Sequence, residues 1–286
     1  MNIGRILLSK KSLPGHNYSH RRKKRRKKRM ESEKRKRSRE NNNNNNMVQK
    51  LYDTCKQVFA NGKAGYVPPP HDIQRLTSLL DSLEPKDIMF TAPSLEFSCT
   101  SPGTKESPLV TYIKLHECNK FSIGIFCLPP SGVIPLHNHP GMTVFSKLLS
   151  GTMHTKSYDW VKNHDQFNHY GGQEECRLRL AKVHADADFS APCNATVLFP
   201  ESGGNMHCFK ALTPCILLDV LGPPYSEAEG RRCTYYQHYT YHNITFSDVK
   251  EMEVEEEETR SYAWLEELNK QFVVLGGTYE GPTIKK

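Results

Sequence analysis

The chain contains no CxxC pair and no apolar run near the ~20 residues that span a bilayer, so neither a redox or zinc cysteine motif nor a membrane partner is expected. Its nine cysteines are odd in number and scattered. That excludes a disulfide scaffold and fits a reducing compartment. The run Ile6-Leu7-Leu8 is too short for a secretory core. Residues 1–29 lack acidic side chains, as a mitochondrial presequence would. Yet Arg21 to Arg29 is an unbroken block of nine charges, which leaves no apolar face for an amphipathic targeting helix.

Charge is unevenly spread. Residues 1–46 carry 17 Lys and Arg against 3 Glu, while the remaining 240 carry 22 basic and 28 acidic residues. The overall +8 is therefore a property of the front segment, and the rest of the chain is mildly acidic. Residues 1–46 read as a disordered basic and Asn-rich tail, since they cannot bury enough apolar surface to offset ordering entropy. The block Arg21–Arg29 reads as a nuclear localisation signal, so nucleus and cytoplasm are the expected compartments. No DNA-binding module accompanies it, and no specific nucleic acid partner is expected.

Residues 47–108 read as a helical lead-in packing on a sheet. Val48, Leu51, Tyr52, Cys55, Val58 and Phe59 fall on one helical face, with Asn61-Gly62 as a stop. After Pro68-Pro69-Pro70, Ile73, Leu76, Leu79, Leu80 and Leu83 mark a second helix ending before Pro85. From Leu109 the apolar period becomes two. Candidate strands span 110–115, 121–128, 143–149, 152–160, 177–185, 195–199, 206–212, 215–221 and 233–241, separated by turn residues such as Pro129-Pro130-Ser131-Gly132 and Gly222-Pro223-Pro224. Many short strands at regular spacing predict a sandwich or barrel over residues 109–246. Residues 247–286 read as an acidic segment and C-terminal extension, with a short closing helix over 262–268.

The chemistry-bearing residues sit in Pro135-Leu136-His137-Asn138-His139-Pro140-Gly141-Met142 and Gly203-Gly204-Asn205-Met206-His207. Two histidines one residue apart at a strand end share a face, and a distant third completes a facial triad on a metal. The spacing of Gly132, His137, His139, Gly151, Pro200, Gly204 and His207 resembles the two-part cupin pattern, with one gap a residue short and another two residues long. Thr143 and Val144 stand where that pattern has glutamate, so the expected ligands are three neutral histidines. Such a set leaves the full charge on a divalent ion and favours ionisation of a coordinated thiol. Imidazoles alone do not choose between iron, copper, nickel and zinc. His154, in the following strand, is a possible outer-sphere residue.

The blocks PLHNHPGMTVFSKLLSG, SYDW, GGNMHCFKALTPC, LLDVLGPPY and RRCTYYQHY resemble the plant cysteine oxidases, thiol dioxygenases related to 2-aminoethanethiol dioxygenase, over roughly Val48 to Tyr241. The resemblance implies a mainly β fold, a double-stranded β-helix (the cupin, jelly-roll barrel) with short N-terminal helices. It implies Fe(II) held by His137, His139 and His207. It implies that O2 and proteins with an N-terminal cysteine are the partners, group VII ethylene-response transcription factors among them, and that the product is cysteine sulfinic acid. Slowed turnover at low oxygen would then spare those proteins from degradation through the N-degron pathway.

By the same resemblance Asp219 is an active-site carboxylate that receives the substrate amine, and a carboxylate in the apolar strand Leu217-Leu218-Asp219-Val220-Leu221 is costly without a task. Tyr225 either orients substrate or oxygen, or packs on the rim. Cys233 and Tyr235 either form a thioether crosslink or are an inert buried pair. Cys208, adjacent to His207, is expected on the opposite strand face. A monomer is expected. The rival functions are a dioxygenase for a small thiol such as cysteine or cysteamine, and a non-enzymatic nuclear cupin binding module.

Overall fold

The structure, a computed structural model, describes residues 46–88, 108–162, 167–170, 175–241 and 258–286. The basic tail, the Gly171-Gly172 turn and nearly all of the acidic run 251–258 lie outside the described residues. Residues Met47–Lys286 form one compact unit.

Helix α1 (Met47–Val58) buries Val48, Leu51, Tyr52, Cys55 and Val58, with Phe59 buried just beyond its end. Helix α2 (Pro70–Asp81) begins on a proline, whose fixed φ suits the first turn and whose missing N–H has no partner to lose there. Leu76 and Leu80 point inward from it, and Leu83 is buried just beyond its end. Both helices share one core with Ile123, Ile125, Leu218 and Val220, so they cover the outer face of a sheet as the sequence predicts. Burying each such side chain contributes roughly 1.5–3 kcal/mol.

Thirteen strands follow among the described residues: β1 (Thr111–Glu117), β2 (Ser122–Leu128), β3 (Val133–Asn138), β4 (Thr143–Ser150), β5 (Thr152–Trp160), β6 (Phe167–Tyr170), β7 (Glu175–Ser190), β8 (Thr196–Leu198), β9 (Met206–Ala211), β10 (Cys215–Gly222), β11 (Tyr235–Thr240), β12 (Tyr262–Leu268) and β13 (Leu275–Gly277). One sheet has the order β13-β1-β2-β10-β4-β8, the other β12-β11-β3-β9-β5-β7-β6. A further β12–β7 pairing closes six strands of the second sheet into a ring.

Alternation assigns the faces. On β10, Ile216, Leu218 and Val220 meet the helices, while Cys215 and Leu217 turn inward. The inward set packs with Leu128, Leu148, Ile134, Met153 and Phe209 from both sheets, which is the interior of a double-stranded β-helix. A separate core of Leu136, Tyr158, Ala181, Met206, Ala263 and Leu265 fills the closed ring on the other face of the second sheet.

One expectation is overturned. Residues 262–268 form strand β12, not a closing helix. The composition favours a helix locally, but one of seven residues is too short to be stable alone. Pairing with β11 and β7 instead buries Ala263, Trp264 and Leu265. The C-terminal stretch is thus part of the barrel, and β13 adds to β1 in the other sheet. Strand β7 also runs to Ser190, past the expected 185.

Candidate metal centre

His137 on β3 lies directly across the ladder from His207 on β9, and His139 follows just past the end of β3. The three side chains are buried, and one nitrogen from each falls within 4.8 Å of the others. Burial pushes the His137 imidazolium down to about 4. Burial and mutual repulsion hold His139 well below the usual range, and burial with the charge of His137 does the same for His207. All three are neutral near pH 7, each with one lone pair to offer.

The surroundings select which nitrogen offers it. His137 Nδ1 donates to the Pro135 carbonyl at 2.8 Å. His139 Nδ1 donates to the Tyr225 hydroxyl at 2.9 Å, and that hydroxyl donates to the Asn138 carbonyl at 2.8 Å. That leaves Nε2 of His137 and of His139 to offer the lone pair, and Nε2 of His207 lies 3.0 Å from that of His139, within hydrogen-bonding distance. Three buried imidazoles that are neutral near pH 7 thus bring one nitrogen each to a common point. The donor set therefore fits a divalent first-row metal ion.

The supporting groups come from motifs to which sequence reasoning gave no role. The Asp159 carboxylate accepts from the backbone N–H of Gly204 at 2.9 and 3.0 Å and of Asn205 at 3.0 Å, fixing the loop that leads into His207. Gly204 has φ +81°, and a Cβ there would stand 2.6 Å from Ser157 Oγ, so the turn admits only glycine without strain. Asn205 Nδ2 donates to the carbonyls of His139 and Phe199, both at 2.8 Å, and its Oδ1 accepts from His139 N–H at 3.2 Å. This amide ties the two ligand segments together. Asn138 clips the lead-in to β11, accepting from Thr234 N–H at 2.9 Å. The signal was present in SYDW, GGNMH and HNH, but hydrogen-bond partners far apart in sequence cannot be read from motifs.

Asp219 occupies the opposite wall. It continues the inward-facing set of β10, registers with Gly124 on β2 and Ser146 on β4, and is only 4% exposed. Burial lifts its carboxyl to about 7, partly offset by a hydrogen bond from Ser146, and Oδ1 has no partner. A cavity of about 300 Å³ opens at its partner Ser146 and at His207, lined also by Thr155, Ser157 and Asn194, with Asp219 itself outside the lining.

The Tyr225 ring packs against Met142, Val144 and Leu198, as the packing reading expects, and its hydroxyl is hydrogen-bonded to Asn138 and to the candidate ligand His139. The Cys233 thiol lies within hydrogen-bonding reach of the Tyr235 and Tyr225 hydroxyls, and it is a free thiol that burial keeps protonated. Tyr235 registers with His137, its ring 6.1 Å away. Cys208 contacts the Lys156 carbonyl and the ring core, on the face opposite His207. His154 sits between Asp186 at 3.0 Å and Asp188 at 2.7 Å on the half-exposed β5–β7 surface, outside the metal centre.

A double-stranded β-helix presenting three convergent neutral imidazoles is a cupin-type metal centre. The PCO_ADO family model matches residues 79–284. The chain is 52% identical over 242 residues to plant cysteine oxidase 2 of Arabidopsis thaliana, covering 84% of this chain and 83% of that one. It is 48% identical over 244 residues to plant cysteine oxidase 1 of the same plant, covering 83% and 80%. It is 29% identical over 187 residues to human 2-aminoethanethiol dioxygenase, covering 59% and 66%. Among solved structures, a cupin superfamily protein from Desulfitobacterium hafniense aligns over 42% of this chain and 84% of its own, at 10% identity and a TM-score of 0.28. The chain belongs to the PCO_ADO family and is a thiol dioxygenase.

Proposed function

We propose that the protein is an Fe(II)-dependent dioxygenase that converts the N-terminal cysteine of regulatory proteins, such as group VII ethylene-response transcription factors, to cysteine sulfinic acid. On this reading it acts as a monomeric oxygen sensor in nucleus and cytoplasm, and its product enters the N-degron degradation pathway. The observation that carries the reading is the pairing of a neutral three-histidine donor set with one buried carboxylate, Asp219, whose Oδ1 is open.

When bound by the three histidines, Fe(II) supplies the one-electron chemistry that lets dioxygen react with a thiol. The chain's own residues do the rest. His137, His139 and His207 would hold the ion through one ring nitrogen each. Tyr225 and Pro135 hold His139 and His137 in the tautomer that presents Nε2. Asp219 Oδ1 accepts the substrate's ammonium, and Ser146 steadies the carboxylate. An arriving cation favours the ionised form of a carboxyl whose pKa burial has raised to about 7. The cavity of about 300 Å³ leaves room for residues that follow the cysteine. Both atoms of O2 end on the sulfur, which gives up four electrons, so no external reductant is needed.

The test is metal analysis followed by incubation of a Cys-initiating peptide, free cysteine and cysteamine, in air and under nitrogen. The expected result is bound iron and an oxygen-dependent gain of 32 Da on the peptide. A gain confined to the free thiols would replace the peptide reading with a small-thiol dioxygenase. No oxygen uptake by iron-loaded protein would leave only a binding module.

A further inference from the structure

We infer that Tyr112 is a substrate-binding residue whose hydroxyl, together with Asp219, receives the amino terminus of the substrate cysteine and makes the site select amine-bearing thiols. The inference rests on the proposed reading of Asp219 as the amine receptor.

Strand alternation sets the direction of Tyr112. Its neighbour Ile113 lies in the core beneath the helices, so Tyr112 faces the barrel interior, with its ring 4.9 Å from that of Phe126. The ring leans over a residue with no side chain. A Cβ built on Gly124 would lie 2.5 Å from Tyr112 Cε2 and 2.7 Å from the phenol oxygen. Gly124 is in turn the register partner of Asp219 across the β2–β10 ladder. Directly opposed residues of an antiparallel pair have Cβ positions roughly 4.5–5.5 Å apart. The Tyr112 hydroxyl therefore stands where the cross-strand neighbour of Asp219 would stand, alongside its carboxylate.

Register extends this into two facing rows. One sheet presents Gly124 with Tyr112 above it, then Asp219, then Ser146. The other presents Tyr235, His137, His207 and Ser157. An ammonium has three N–H donors, and one open carboxylate oxygen cannot satisfy them all. A second acceptor is required on the Asp219 row. Tyr225 also feels the charge of Asp219, but its hydroxyl is already engaged with Asn138 and His139. Burial, with Glu117 and Asp219 adding to it, raises the Tyr112 phenol to about 12, so it remains a neutral hydroxyl with lone pairs to offer. Tyr112 is half-buried, whereas Asp219 is buried.

The experiment compares the iron-loaded wild type with Tyr112→Phe, using a Cys-initiating peptide and its des-amino analogue, in which 3-mercaptopropionyl replaces cysteine. Loss of one hydrogen bond to a charged group predicts a KM for the Cys peptide raised roughly tenfold, with that for the des-amino peptide nearly unchanged. Gly124→Ala, which keeps the phenol but displaces its ring, is expected to produce the same selective loss. An unchanged KM in both variants, or equal loss on both peptides, would overturn the inference. Asp219→Asn is run in parallel. If it loses the preference for the amine while Tyr112→Phe keeps it, the Asp219 reading stands and the Tyr112 inference fails. If wild type and Asp219→Asn both treat the two peptides alike, the Asp219 reading itself fails.

Discussion

The imidazoles of His139 and His207, 68 residues apart in the chain, face each other Nε2 to Nε2 at 3.0 Å. In the metal-free protein one neutral ring can donate to the other across this gap, and a bound cation would take both lone pairs in its place. Replacing His207 by Asp, or His137 by Ala, is expected to abolish iron retention or turnover. Metal content per chain and oxygen uptake check this. Normal oxidation of a Cys-initiating peptide by either variant would remove these residues from the ligand set.

Tyr225→Phe keeps the ring that stacks on His139 but removes the acceptor for its Nδ1–H. Loss of such an outer partner typically weakens metal affinity by roughly 10–100-fold. Chelator competition is expected to show weaker iron binding, while the KM for peptide at saturating iron stays close to wild type. A raised KM with unaltered iron affinity would return Tyr225 to a substrate role.

Asn205→Ala leaves the N–H of His139 without its partner, while the carbonyls of His139 and Phe199 keep the backbone N–H groups of Met142 and Ser202. Buried unsatisfied groups cost roughly 1–3 kcal/mol each, with partial relief from relaxation. Urea titration is expected to show stability lowered by about 1–3 kcal/mol, together with poorer iron retention.

The Asp219 carboxyl titrates near 7 when folded, against 3.8 for an exposed group. The folded state therefore holds a proton that the unfolded state releases, and this group lowers stability as pH rises from about 4 to 7. Without substrate, Asp219→Asn is expected to gain stability relative to wild type across that window, with the gap levelling off above it. Urea midpoints at pH 4, 6 and 8 test the sign, and a gap that shrinks with rising pH would contradict it.

Deletion of residues 1–46 leaves the compact unit Met47–Lys286 whole. Iron content and peptide oxidation are expected to persist while the nuclear fraction of a tagged protein falls. An unchanged distribution on microscopy would count against a localisation signal in Arg21–Arg29.

Much of this was legible before any coordinates. The helical faces of α1 and α2 and the opposite orientations of His207 and Cys208 follow from period alone. His137, His139 and His207 stand out because spacing by two on a strand, with glycines before the distant partner, is itself a geometric statement. Other features were not legible. SYDW and GGNMH named Asp159 and Asn205, but their roles depend on which backbone groups arrive beside them from other strands.

The sequence by itself determined that a β-barrel carries three neutral histidines in place of a set with a carboxylate, because side-chain alternation and ligand chemistry are local. Tertiary structure alone decided that residues 262–268 are a strand, since the buried edges of β11 and β7 outweigh local helix propensity. It also separated Tyr225, tied to His139, from Tyr112, lying over Gly124 beside Asp219. Both are tyrosines near an apolar strand, and only the register between distant strands tells them apart.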